Sequence, residues 1–157
     1  MVKDKRDKLW KVLEKDIQSR AGKKDKSFIL SGKWKKFVRF QEGLKIFKVD
    51  GEWVKNNICT YFDHGGHAFV YEFIPVNEIW INSNHYYKKD FPVSTCGCKT
   101  KTKNQKISKN FFESTVVHEL VEFKEMKKGK NYWTAHQLAL RAEIELGLLS
   151  DPYDDSQ

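Results

Sequence analysis

Residues 116–145 read VVHELVEFKEMKKGKNYWTAHQLALRAEIE, and their spacing predicts two helices broken by a glycine. Upstream of this stretch, Asn110 with Glu113 three residues on resembles a capping box, so the first helix is expected to begin near Asn110. It runs to about Lys128, and Gly129 is a suitable residue for the left-handed turn that ends a helix. Asn131 is the expected N-cap of the second helix, which ends at Gly147 with Asp151 and Pro152 beyond it. Ala135, Ala139, Ala142 and Leu146 give that helix an apolar stripe. The loop between the two is only a few residues long, which predicts an αα-hairpin.

Further upstream the period of the pattern changes to two. Residues 37–41, 44–49, 53–62, 67–74 and 78–82 each read as a strand. Asp50 with Gly51, the run 63–66 and the run 75–77 read as turns. Residues 3–20 carry Leu9, Trp10, Leu13 and Ile17 at helical spacing among charged residues, and residues 21–27 read as a joint. Residues 83–109 are polar and read as a long exposed loop, most basic over 88–110. The expected architecture is therefore α+β: an N-terminal helix, an antiparallel sheet of about four or five strands and a C-terminal αα-hairpin. Residues 1–26 form a basic helix and joint, 27–150 one domain and 151–157 a tail.

The chain has 157 residues, with 29 Lys and Arg against 21 Asp and Glu, for a net charge of +8. One domain is the prior at that length. Its 22 aromatic residues argue against global disorder. The charge is segmented. Residues 1–48 hold 16 basic and 6 acidic residues and 88–110 hold 7 and 1, whereas 49–87 hold 1 and 5 and 111–157 hold 5 and 9. All five histidines lie in the two acidic segments. No apolar run approaches the roughly 20 residues that span a bilayer, and the N-terminus lacks the apolar stretch of a secretory leader. Three cysteines make a poor disulfide framework. A cytoplasmic protein without membrane contact is expected.

The chemistry-bearing residues gather on the hairpin. His118 and Glu122 are four apart and project from one helix face, with Glu119 beside His118. Two histidines and a glutamate are a common zinc set, and an adjacent glutamate is the usual general base. The second histidine would be His136. At about 1.5 Å of rise per residue, His118 lies roughly 18 Å and Glu122 roughly 12 Å from the turn. On the returning helix, His136 lies roughly 9 Å and Glu143 roughly 20 Å away. Glu122 is thus level with His136, and His118 with Glu143. Zinc is expected on His118, Glu122 and His136, with Glu143 orienting His118 or joining as a fourth ligand. The same residues would equally suit half-buried histidines bonded to glutamates without a metal. His67 follows Gly65 and Gly66 and reads either as a residue at the mouth of the site, where it would polarise a substrate or the transition state, or as a hairpin-end histidine with no role in chemistry. Cys96 and Cys98 in the basic loop are a weak zinc signal, because zinc sites normally pair C-x-x-C spacings. Lys23, Lys24, Lys33, Lys35, Lys36, Lys101 and Lys103, interleaved in part with Phe28, Trp34 and Phe37, form the alternative story: a basic surface that binds nucleic acid.

Over residues 115–143 the chain resembles the helix of a zincin metallopeptidase with its ligands in permuted order. Its H-E-x-x-E departs from the metallopeptidase H-E-x-x-H at Glu122, and Glu119 matches the general-base position. A broader pattern resembles a group of small uncharacterised proteins of phages and prokaryotes. It comprises D-G-x-x-V-x-N from Asp50, G-G-H-x-x-x-Y-x-F-I-P-x-x-E-x-W from Gly65, the His–Glu helix, and Y-x-x-A-H from Tyr132. That second resemblance implies a shared fold and brings no activity with it. The expected function is a small zinc-dependent hydrolase acting on a peptide or protein. The alternative is a non-catalytic protein, either associated with nucleic acid or an accessory or structural protein of a phage.

Overall fold

The computed structural model describes residues 32–59, 62–86 and 104–147. The expected helix at 3–20, the joint at 21–27, the tail, most of the basic loop and with it Cys96, Cys98, Lys101 and Lys103 lie outside them, as do Lys23 and Lys24.

The described chain runs β1 (Lys35–Gln41), β2 (Leu44–Val49), α1 (Gly51–Asn57), β3 (Gly65–His67), β4 (Glu78–Asn82), β5 (Asn84–Tyr86), β6 (Asn104–Lys106), α2 (Lys109–Lys127) and α3 (Tyr132–Glu145). The α+β class expected from the pattern is what the fold displays. The sheet differs in being mixed. Its strand order is β1-β2-β4-β3, with β2 parallel to β4, and β5 and β6 form a separate two-stranded ribbon.

The parallel pairing has a local cause. Asp50 and Gly51 do not form a hairpin turn. The Asp50 carboxylate accepts hydrogen bonds from the backbone N–H groups of Glu52 and Trp53, at 3.0 and 3.3 Å, and so caps α1. The chain leaves β2 through a helix, not a hairpin, and the strand expected over 53–62 begins instead as that helix. The strand expected over 67–74 also stops early. The N–H groups of Val70 and Tyr71 both bond to the His67 carbonyl, at 3.1 and 3.0 Å, which turns the chain directly after β3. Phe69 then packs against Phe123, whereas Phe73 packs against Trp80. The aromatic residues that looked like one strand face thus serve opposite faces of the sheet. Where a loop was expected, Asn104–Lys106 is a strand.

The β1–β2 hairpin follows its pattern. Glu42 and Gly43 turn it with φ of 52° and 82°, both left-handed, and only at Gly43 is that conformation free of a side-chain penalty. One sheet face presents Leu44, Ile46, Ile79 and Ile81 to Phe112, Val116, Leu120 and Phe123 of α2. Arg39 ties β1 to the same helix through a bidentate pair with Glu113, at 3.0 and 2.6 Å. The other face buries Trp34, Val49, Val54, Phe62, Ile74 and Trp80 under α1 and its neighbours.

The helical hairpin matches its expected form, with its start moved by two residues. Ser108, not Asn110, caps α2, accepting from the Phe111 N–H at 3.2 Å. Asn131 caps α3 by accepting from the Thr134 N–H at 2.9 Å. Close docking of α2 on β3 depends on Gly65. A Cβ there would stand 3.1 Å from the Thr115 methyl and 3.0 Å from the Trp80 carbonyl oxygen.

Candidate metal centre

The site lies where α2, α3 and β3 meet. Helix α2 sets Ser114, His118 and Glu122 one turn apart on one face, and α3 sets His136 and Glu143 two turns apart on the facing side. His67 is the last residue of β3; it shares a register position with Ile79 and so faces α2.

The Glu122 carboxylate joins these elements. Its Oε2 stands 3.0 Å from His118 Nε2 and 3.2 Å from His136 Nδ1, and its Oε1 stands 2.9 Å from His67 Nε2. On the far side of His118, Nδ1 is 2.9 Å from Glu143 Oε2, and the Ser114 hydroxyl donates to Glu143 Oε1 at 2.6 Å. The two helix pairs that rise arithmetic makes level, Glu122 with His136 and His118 with Glu143, are the two that bond across the hairpin.

Hydrogen bonding assigns the protons. His67 Nδ1 accepts the Phe69 N–H at 3.2 Å, so in the neutral ring its proton resides on Nε2 and is donated to Glu122. His118 Nδ1–H is directed to Glu143, which leaves Nε2 facing Glu122 and His136. Burial alone would raise the Glu122 carboxyl, but hydrogen bonds from His118, His136 and His67 outweigh it and hold the group well below the usual carboxylate range. Burial would lower His118, yet the Glu143 charge and the bonds to Glu122 and Glu143 raise it well above an ordinary imidazole. Glu119 moves the other way from Glu122: burial first, and the Glu122 charge second, raise it well above normal. Its Oε2 is buried without a hydrogen-bond partner, 3.9 Å from His67 Nε2.

Among the described residues two triads could hold a cation: His118, Glu122 and His136, and His67, Glu119 and Glu122, each with donor atoms within 4.8 Å of one another. Proton placement separates them. His67 Nε2 carries a hydrogen and cannot coordinate while Nδ1 accepts from Phe69, whereas His118 Nε2 and His136 Nδ1 can both offer lone pairs once a metal displaces the protons they donate to Glu122. Ligands at 2.0–2.1 Å from a tetrahedral zinc stand about 3.3 Å apart, close to the 3.0 and 3.2 Å separations at Glu122 Oε2. A carboxylate on the outer nitrogen of a histidine, as Glu143 is on His118, is the usual support of a zinc ligand. The first triad therefore fits zinc.

His67 is fully buried beneath Glu122 and not at a mouth, because the β3 backbone carries it inward onto α2. Of the triad only His118 reaches solvent, with 12% of its side chain exposed. Ser114 escaped the sequence reading, although its position four residues before His118 put it on the same helix face. Among the expected basic-surface residues, Lys33 and Lys36 are exposed. Lys35 instead pairs with Glu78 at 2.6 Å and lies over the Phe47 ring, and Trp34 is core, stacked on Trp53 at 4.4 Å. Among the described residues no helix is long and apolar enough to cross a membrane. No family model, curated protein or solved structure matches the chain.

Proposed function

We propose that this chain is a small zinc-dependent hydrolase of zincin-like chemistry, acting on a peptide or protein. The observation that carries the reading is the convergence of His118 Nε2 and His136 Nδ1 on one oxygen of Glu122, with Glu143 bonded to the outer nitrogen of His118. Zinc bound there would supply Lewis-acid polarisation of a scissile carbonyl. Glu143 and Ser114 hold the His118 ring in one orientation. His67 holds the Glu122 carboxylate by donating to its Oε1. Glu119, with a raised affinity for protons, is the general base that takes a proton from the attacking water and returns it to the leaving group.

The burial of Glu119, Glu122 and His136 favours a second reading, a structural zinc that ties the hairpin without hydrolysis. Metal analysis of tag-free protein tests both. About one zinc per chain is expected, lost in His118→Ala and in His136→Ala. Glu119→Gln should keep the metal and abolish peptide hydrolysis. A hydrolysis rate that is nil in the zinc-loaded wild type leaves the structural reading. A folded wild type that refuses added zinc overturns both.

A further inference from the structure

The β1–β2 hairpin lies at the sheet edge opposite β3, away from the histidine cluster. It exposes apolar rings that folding alone does not require. Phe40 is 67% and Phe37 49% exposed, and Val38 beside them is exposed too. The rings are organised: the Phe37 and Phe40 centroids are 5.1 Å apart and those of Phe37 and Phe47 are 5.7 Å apart, both edge-to-face. Register sets Phe37 opposite Phe47 and Phe40 opposite Lys45, so rings and lysine share one face.

Cations lie on both sides of the hairpin: Lys45 stands beside the rings and exposed Lys33 precedes the strand, whereas Lys36 and Lys48 point to the α2 side, Lys48 over Phe112. Lys33, Lys36, Lys45 and Lys48 have no carboxylate partner among the described residues. The nearby acids are already engaged: Glu42 with Lys124, Glu78 with Lys35 and Glu113 with Arg39. On the α2 side Lys36 stands directly opposite Lys48, a like-charge cross-strand pair. Lys48 is partly compensated by the Phe112 ring, at 4.9 Å; Lys36 has no such contact. Residues 1–26 carry 10 basic and 5 acidic residues, so their charge repels this surface and does not complement it.

The chemistry that matches exposed aromatic faces among unpaired cations is a chain of phosphates with unstacked bases. A duplex would hide its bases from the rings. A strand added edge-to-edge would meet the bulge between Phe37 and Arg39 and the edge lysines, both of which oppose pairing. We propose that the β1–β2 hairpin binds single-stranded nucleic acid on its ring-bearing face, with Phe37 and Phe40 stacking on bases and Lys33 and Lys45 neutralising phosphates.

Fluorescence anisotropy of the full chain with labelled oligothymidine of about 12 nucleotides tests this. Two neutralised phosphates give a log–log salt slope of about −1.4, so raising salt fourfold should weaken binding about sevenfold. Phe40→Ala and Phe37→Ala should each weaken binding about tenfold and leave the slope unchanged. Lys33→Gln and Lys45→Gln should each reduce the slope by about 0.7, and Lys36→Gln, on the other face, should leave it unchanged. His118→Ala should bind as wild type does, which separates this surface from the zinc reading. Phe40 projects into solvent, so Phe40→Ala keeps the fold and remains informative even if Phe37→Ala does not fold. Three results overturn the proposal: no binding at low salt, aromatic variants that bind as wild type does, or equal affinity for duplex DNA or polyglutamate.

Discussion

Replacing Glu122 by glutamine separates the fold from the metal. In the metal-free protein the amide can satisfy every neighbour. Its oxygen takes the place of Oε1 and accepts from His67 Nε2–H. Its NH2 takes the place of Oε2 and can donate to His118 Nε2 and His136 Nδ1 when these nitrogens carry no hydrogen. Glu122→Gln should therefore remain folded, within about 2 kcal/mol of wild type. Glu122→Ala leaves three buried nitrogens without their partner and should cost about 3–5 kcal/mol. Zinc reverses the ranking. At a thousand times its Kd, a ligand adds about 4 kcal/mol of stability. At about 2–4 °C per kcal/mol for a domain of this size, wild type should gain roughly 8–16 °C in Tm. Glu122→Gln, with an amide nitrogen in the ligand position, should gain almost nothing. Calorimetry on chelator-treated protein, with and without zinc, reads both numbers. A full zinc shift in Glu122→Gln would show that Oε2 is not a ligand, and collapse of its metal-free fold would refute the hydrogen-bond exchange.

Other outcomes follow from the same geometry. In metal-free protein the stabilising share of His118 is full below about pH 6.5 and is lost as pH rises through its raised value, while ionising Glu119 becomes costly above about pH 4.5; the Glu122 share is present above about pH 4.5 and is lost as pH falls through its lowered value. Denaturation midpoints should thus peak in mild acid and fall toward alkaline pH, and zinc should cancel the alkaline fall; a metal-free midpoint that climbs to pH 9 would contradict this. Ser114→Ala removes a 2.6 Å bond to Glu143 and should weaken zinc about tenfold in a chelator competition, unless His118 is held without that support. Trp34→Ala should cost about 3–5 kcal/mol in urea unfolding, because the ring is buried between Trp53 and Trp80; a loss below about 1 kcal/mol would place Trp34 outside the core.

Legibility along the chain followed the range of the interactions. The hairpin was readable because helix periodicity is local: four-residue spacing puts His118 and Glu122 on one face, and rise per residue levels them with Glu143 and His136. Segments 53–62 and 67–74 misled because alternating aromatic and polar residues suit a strand but also suit a capped helix or successive turns. Asp50 decides the first case through two backbone N–H groups, and the His67 carbonyl decides the second. The parallel β2–β4 pairing followed from the helix after Asp50 and could not be seen while Asp50 and Gly51 read as a turn. The role of His67 depends on which ring nitrogen the Phe69 N–H reaches, and no residue spacing records that.

The separations in sequence also bear on the order in which the molecule assembles. Glu122 and His136 are 14 residues apart and His118 and Glu143 are 25 apart, whereas His67 reaches Glu122 across 55. Short loops close at small entropic cost, so the helical hairpin can bring its own four polar groups together before the sheet exists. His67 arrives only when β3 docks. Its bond to Glu122 therefore follows those of the hairpin, which stands to it as a template that the rest of the chain completes.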